Sequence, residues 1–99
     1  MINPNCVVNA FAQIGNNCVI YSNSVIEHED VIGDNVFVGP GVILTANIKI
    51  GKNTFIGAGT KVIPHITIGQ NVKIGAGSVV LKDIGDNDVV AGIPAKPIK

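Results

Sequence analysis

The sequence predicts an all-β fold, a solenoid of short parallel strands wound into triangular coils. Three regularities predict it. Every sixth residue from Ile2 is aliphatic: Ile2, Val8, Ile14, Ile20, Ile26, Ile32, Val38, Leu44, Ile50, Ile56, Val62, Ile68, Ile74 and Val80. Glycine follows half of them, at Gly15, Gly33, Gly39, Gly51, Gly57, Gly69 and Gly75. A longer register then recurs through Ile-Gly-Asn-Asn at Ile14, Ile-Gly-Asp-Asn at Ile32, Ile-Gly-Lys-Asn at Ile50 and Ile-Gly-Gln-Asn at Ile68. A period of six fits neither a 3.6-residue helix nor one long strand, but it fits a strand, a turn and another strand. Three such sides close a coil, and the array makes about 4.7 coils, about 20 Å tall at ~4.8 Å per strand.

Each part of the coil has its own residue type. The aliphatic residue points inward, and four residues later comes a small or β-branched one such as Cys6, Ala12, Cys18, Ser24, Val36, Val42, Thr54, Thr60, Val72 or Ser78. Two corners carry residues that tolerate positive φ: Asn17, Asn35, Asn53 and Asn71 at one, and Asn5, Asn23, Gly41, Gly59 and Gly77 at the other. The third corner holds Phe11, Glu29, Asn47, His65 and Asp83, preceded by Ala10, His28, Ala46, Pro64 and Lys82. A repeat that keeps two edges regular and varies the third is expected to use the third. Outward positions hold Val7, Val25, Ile43 and Val79 on one side and Val19, Phe37 and Phe55 on another. Such apolar strips predict side-to-side packing of several chains around an axis. The solenoid is assigned to residues 1–85. Residues 86–99 are expected to be a capping tail with one further strand at Val89–Gly92, with Pro94 and Pro97 preventing further pairing.

Composition narrows the function. The seven Lys balance seven acidic residues, so there is no general case for nucleic-acid binding. Hydrophobic residues make up 46% of the chain but aromatics only 4%, so Ile and Val fill the interior. No apolar run approaches the ~20 residues of a membrane helix, and the start lacks a basic segment followed by an apolar one, so no signal peptide is expected. Two Cys make no disulfide framework; Cys6 and Cys18 fall on different sides of the first coil and are expected to be small core fillers in a cytoplasmic protein. The two His, His28 and His65, are two coils apart, roughly 10 Å along one column, too far to ligate one ion within a chain, so no metal is expected. All seven Lys lie from Lys49 onward, while residues 1–48 hold only Glu27, Glu29, Asp30 and Asp34. The basic end is therefore a candidate for phosphate binding, with Lys82 about 14 Å along the axis from His28.

His28 is the candidate base. A neutral imidazole is the side chain best suited to accept a proton near pH 7, and the adjoining Glu29 could hold its tautomer and increase its basicity. The stretch from Ile26 to Gly41, with Ile74-Gly75-Ala76-Gly77-Ser78-Val79-Val80 and Gly92-Ile93-Pro94-Ala95-Lys96-Pro97, resembles the hexapeptide-repeat acyltransferases, and among them the sialic acid O-acetyltransferase and bacillosamine-pathway sugar N-acetyltransferase group.

The resemblance implies a left-handed parallel β-helix, a homotrimer with sites between protomers, acetyl-CoA as donor and a sugar or nucleotide-sugar amine or hydroxyl as acceptor. It gives His28 the role of general base and Glu29 that of its acidic partner. It places the donor against the backbone at Ala58 and Ala76, with Lys82 and Lys96 toward its phosphates. Backbone N–H groups near Ala46 are candidates for the oxyanion site. Phe37 stands where related enzymes often have a second, donor-contacting His. The group also carries an α/β acceptor domain before its solenoid, whereas this sequence starts on the solenoid, so the acceptor stays open. Two other readings stand beside this one, a non-catalytic trimerising module and a metal-dependent hydratase like the hexapeptide carbonic anhydrases. The latter use three His on zinc where this chain has two.

Overall fold

The computed structural model describes residues 1–98. Its strands are β1 (Val7–Val8), β2 (Gln13–Ile14), β3 (Val19–Ile20), β4 (Val25–Ile26), β5 (Val31–Ile32), β6 (Phe37–Val38), β7 (Ile43–Leu44), β8 (Lys49–Ile50), β9 (Phe55–Ile56), β10 (Lys61–Val62), β11 (Thr67–Ile68), β12 (Lys73–Ile74), β13 (Val79–Val80), β14 (Val89–Ala91) and β15 (Lys96–Pro97). They form three sheets, ordered β1-β4-β7-β10-β13, β2-β5-β8-β11 and β3-β6-β9-β12-β14-β15. All pairs are parallel except β14–β15. The predicted parallel β-solenoid is therefore present. Its register follows the repeat, with Val25 opposite Ile43 and Ile43 opposite Lys61.

The inward column of each sheet makes the core. Ile26, Leu44, Val62 and Val80 stack on one side; Ile20, Val38, Ile56 and Ile74 stack on another, all essentially buried. Each contributes roughly 1.5–3 kcal/mol of apolar burial. The small-residue columns explain themselves through hydrogen bonds between coils. The hydroxyls of Ser24 and Thr54 donate to the carbonyls of Gly39 and Gly69, both at 2.8 Å. Both cysteines are free, Cys18 in the core and Cys6 half-buried against it. Among the described residues the first coil has a neighbour on one side only, and Ile2 and Val8 are 52% and 41% exposed in columns that are sealed further along.

Three details differ from the sequence reading. The third corner abandons the Asn/Gly rule in residue type but not in backbone: Phe11, Glu29, Asn47 and His65 all take φ between 61° and 67°. Stacking imposes the turn whichever residue occupies it. The last coil is shorter, because Ile84 pairs opposite Ile68 and Val90 opposite Ile74. Two residues are lost at the third corner, so Asp83 leaves the left-handed series, and its carboxylate accepts the Thr67 N–H at 2.8 Å. Finally, Pro97 does not stop pairing. The chain turns back after Gly92 and β15 pairs antiparallel with β14. Ile98 N–H donates to Val89 O of β14 at 2.9 Å, Ala95 N–H donates to Val79 O of β13 at 2.8 Å, and the missing N–H of proline is tolerated on this edge. The extents are 32 × 21 × 20 Å, the longest exceeding the expected 20 Å.

Candidate active site

The second coil brings His28 and Glu29 together at the third corner. His28 Nδ1 lies 3.5 Å from Glu29 Oε1, with both side chains more than half exposed. Glu29 holds φ 63°, a conformation that disfavours a side chain of this type by about 1–2 kcal/mol. Phe11, Asn47 and His65 take the same turn, so this strain belongs to the corner and not to the pair. The turn is tied on both sides. Glu29 N–H donates to Ala10 O of the first coil, and Asn47 N–H donates to His28 O from the third, both at 3.3 Å. Ala46 therefore lies one coil along from His28 in the same column. His65 is two coils away, exposed, with no carboxylate beside it.

At the other two corners a glycine follows the aliphatic residue, except at Asn3 and Tyr21, and lets the coils close tightly. At the third corner this place holds Asn9, Glu27, Thr45, Ile63 and Leu81. Side chains there bond between coils: Asn9 Nδ2 donates to Glu27 Oε1 at 2.6 Å, and Thr45 Oγ1 to Val62 O at 2.6 Å. Glu27 is thereby turned away from His28 and toward the first coil.

Asp30 was not singled out in the sequence. It occupies the inward small-residue column between Ala12 and Ile48, and it is fully buried. Its Oδ1 accepts the Ile48 N–H at 2.8 Å and its Oδ2 the Glu27 N–H at 3.1 Å. Burial raises its pKa to about 6, against the lowering effect of the two backbone N–H groups. The signal that could have found it was available: it is the one acidic residue in an inward column of this array. The native state therefore holds a proton between about pH 4 and pH 6 that the unfolded chain has lost. This group's contribution to stability is greatest below pH 4 and falls as pH rises through 6. Denaturant unfolding should show about 1.4 kcal/mol more stability from this group at pH 5 than at pH 7.5, and Asp30→Val should remove that difference.

The remaining candidate residues fall into two further places. Ala58 and Ala76 are exposed on successive coils at the corner after the third sheet, a different corner from His28. Among the described residues their N–H groups find no acceptor, and neither does that of Ala46. Phe37 is half-buried on the outer face of the same sheet. It stacks on Phe55 with ring centres 4.7 Å apart and meets Tyr21 edge-on at 5.1 Å. Lys82 and Lys96 come together at the C-terminal end, on a cavity of about 270 Å³ whose floor is Val80, Ile84 and Val90. Of the expected outward strips, Val25, Ile43 and Val79 on the first sheet and Val19 and Phe37 on the third are half-buried, Val7 and Phe55 are exposed, and Lys61 and Lys73 interrupt the columns. No group of three metal-ligating side chains occurs among the described residues, and no helix among them is long and apolar enough to cross a membrane.

The family of bacterial transferase hexapeptides (six repeats) matches residues 1–28, 31–62 and 47–82. Curated protein sequences give no significant match. Among solved structures, a galactoside acetyltransferase in complex with coenzyme A is 33% identical with a TM-score of 0.94, covering 100% of this chain and 60% of that one. A histidine-to-alanine mutant of GDP-perosamine N-acetyltransferase from Caulobacter crescentus, in complex with CoA and GDP-perosamine, is 29% identical with a TM-score of 0.92, covering 100% and 57%. The acetyltransferase domain of PglB from Neisseria gonorrhoeae, in complex with acetyl coenzyme A, is 27% identical with a TM-score of 0.82, covering 98% and 53%. The chain thus spans between half and three-fifths of the length of these structures.

Proposed function

Since the chain belongs to the bacterial transferase hexapeptide family, we propose that it is an acyltransferase that moves the acetyl group of acetyl-CoA to an amine or hydroxyl of a sugar or nucleotide-linked sugar. The observation that carries the reading is the His28–Glu29 pair on a doubly tied corner. In this reading the neutral His28 ring takes the proton from the acceptor as its nitrogen or oxygen attacks the thioester carbonyl. Glu29 holds the ring's orientation and stabilises the imidazolium. The acetyl group passes directly to the acceptor, and the CoA thiolate leaves.

The unpaired N–H groups of Ala58 and Ala76 supply a column of donors for the amide-bearing arm of the donor, and Lys82 and Lys96 offer positive charge for its phosphates. The Ala46 N–H, one coil from His28, is available to the developing oxyanion. Phe37 gives the donor an apolar wall instead of a hydrogen bond. Because His28 and the alanines stand at different corners, a complete site needs His28 from one protomer and the alanines from another. The apolar outward strips support a trimer that supplies both. The division at residue 85 into solenoid and capping tail belongs to the same proposal.

Two measurements test it. Calorimetry should detect acetyl-CoA binding, and thiol release from acetyl-CoA should accelerate with at least one member of a panel of galactosides, amino sugars and nucleotide-linked amino sugars. Absence of heat at millimolar acetyl-CoA would favour a non-catalytic module. In sedimentation the protein should run as a single trimeric species at micromolar concentration. A 10.2 kDa species would remove the shared site.

A further inference from the structure

Asp30 is a buried acid in a column otherwise made of Ala12, Ile48 and Ile66. Burying a carboxylate is unfavourable, and the fold does not require one here. The corners that carry Asn47 and His65 reach the same left-handed turn with isoleucine in this place. What sets the second coil apart is that its corner presents His28 and Glu29. The carboxylate reaches that turn from inside, spanning two coils: one oxygen accepts from Glu27, immediately before His28, and the other from Ile48 of the next coil.

We propose, resting on the reading of His28 as the base, that Asp30 is the positioning residue of this corner, its carboxylate clamping the turn so that His28 and Glu29 are held in one orientation. The charged groups facing it are Glu27 and His28 of its own turn. The flanking coils present Asn9, Ala12, Thr45, Asn47 and Ile48, none of which titrates. Protonation leaves the carboxyl one acceptor oxygen and one hydroxyl in place of two acceptors, which releases one arm of the clamp. The raised pKa of Asp30 puts that release near pH 6.

Asp30→Val is the informative change. Valine already fills the equivalent inward places at Val36, Val42 and Val72. Glu27 N–H keeps its second acceptor, Leu44 O at 3.1 Å. Ile48 N–H is left as the Ile66 N–H already is, with no acceptor among the described residues. The variant should therefore fold and melt at or above the unaltered chain at pH 7.

Turnover is read as thiol release from acetyl-CoA with the panel sugar giving the fastest rate, in a cycle of Asp30→Val, His28→Ala and the double variant. The expected result is a fall of about 10-fold for Asp30→Val with acetyl-CoA affinity unchanged, and no further fall when it is added to His28→Ala. In the free protein the Glu27 and Ile48 amide resonances should move together with a midpoint near pH 6, and this movement should vanish in Asp30→Val. Undiminished turnover in Asp30→Val, or the same proportional loss with and without His28, overturns the positioning role while leaving the base in place. Unchanged turnover in His28→Ala overturns the base, and the inference with it. Amides that do not titrate overturn the clamp. Should Asp30→Val fail to fold, the same cycle is run on Asp30→Asn, which keeps one acceptor oxygen and should lose turnover by a smaller factor; an unchanged rate there counts against the proposal equally.

Discussion

His28→Ala should lower turnover by roughly 100-fold or more, the contribution of a positioned base, while the melting temperature and acetyl-CoA affinity stay close to those of the unaltered chain. The side chain is more than half exposed and fills no core space, and alanine already occupies its place in the column at Ala10 and Ala46. What is removed is a proton acceptor and little else. Glu29→Gln should cost less, because an amide can still meet the ring but brings no charge to stabilise the imidazolium. It also keeps the same left-handed strain, so its stability should not move. His65→Ala should be close to neutral for chemistry. Steady-state thiol release for the three variants, with thermal melts alongside, checks this ordering. Loss of turnover in His65→Ala with retention in His28→Ala would assign the base to the wrong coil.

Gly57→Ala should be among the most damaging single-methyl changes in the chain, by about 3 kcal/mol or ~12 °C in melting temperature. A Cβ on Gly57 would lie 2.6 Å from Ala76 N and 2.8 Å from Ile74 O, both backbone atoms of the next coil. Neither can move without opening the stack. Gly59→Ala, two residues on, makes the opposite case. Its φ is +72° and a Cβ there meets nothing within 4 Å, so only the left-handed strain of about 1 kcal/mol applies. Thermal melts of the two variants should separate them by several degrees. Equal losses would mean that the close approach of coils is not what Gly57 supplies. Because the atom pushed aside is the backbone of Ala76, Gly57→Ala should also weaken acetyl-CoA binding, whereas Gly59→Ala should not.

The solenoid was legible because its period is encoded redundantly. Each coil repeats the same inward aliphatic, small residue and corner, so one irregular unit cannot hide the frame. His28 and Glu29 stood out for the same reason, as residues that break a pattern. Asp30 broke one too, but in a column already assigned to small fillers, and its significance depends on burial and on two backbone N–H groups that only folding brings to it. The short last coil was illegible because Ile84 arrives two residues early and the sequence there still scans as a hexad. Pro97 misled through a sound rule applied to the wrong edge: it sits where its missing N–H faces away from β14. The Phe37–Phe55 stack was written in the register, as the two share a column, whereas the edge-on approach of Tyr21 depends on side-chain packing.

The half-open first coil bears on how firmly the site is held. In a stack where each coil rests only on its neighbours, stability is a chain of adjacent interfaces. Among the described residues the first coil leaves Ile2 and Val8 uncovered. The corner bearing His28 leans on this same coil, through Glu29 N–H to Ala10 O and through Asn9 to Glu27. Fraying of the first coil would therefore loosen the His28 turn before it disturbs the alanine column or the lysines at the far end. The rigidity of the base is therefore coupled to the rung beneath it, and amide protection in the His28 turn should follow that of Asn9 and Ala10.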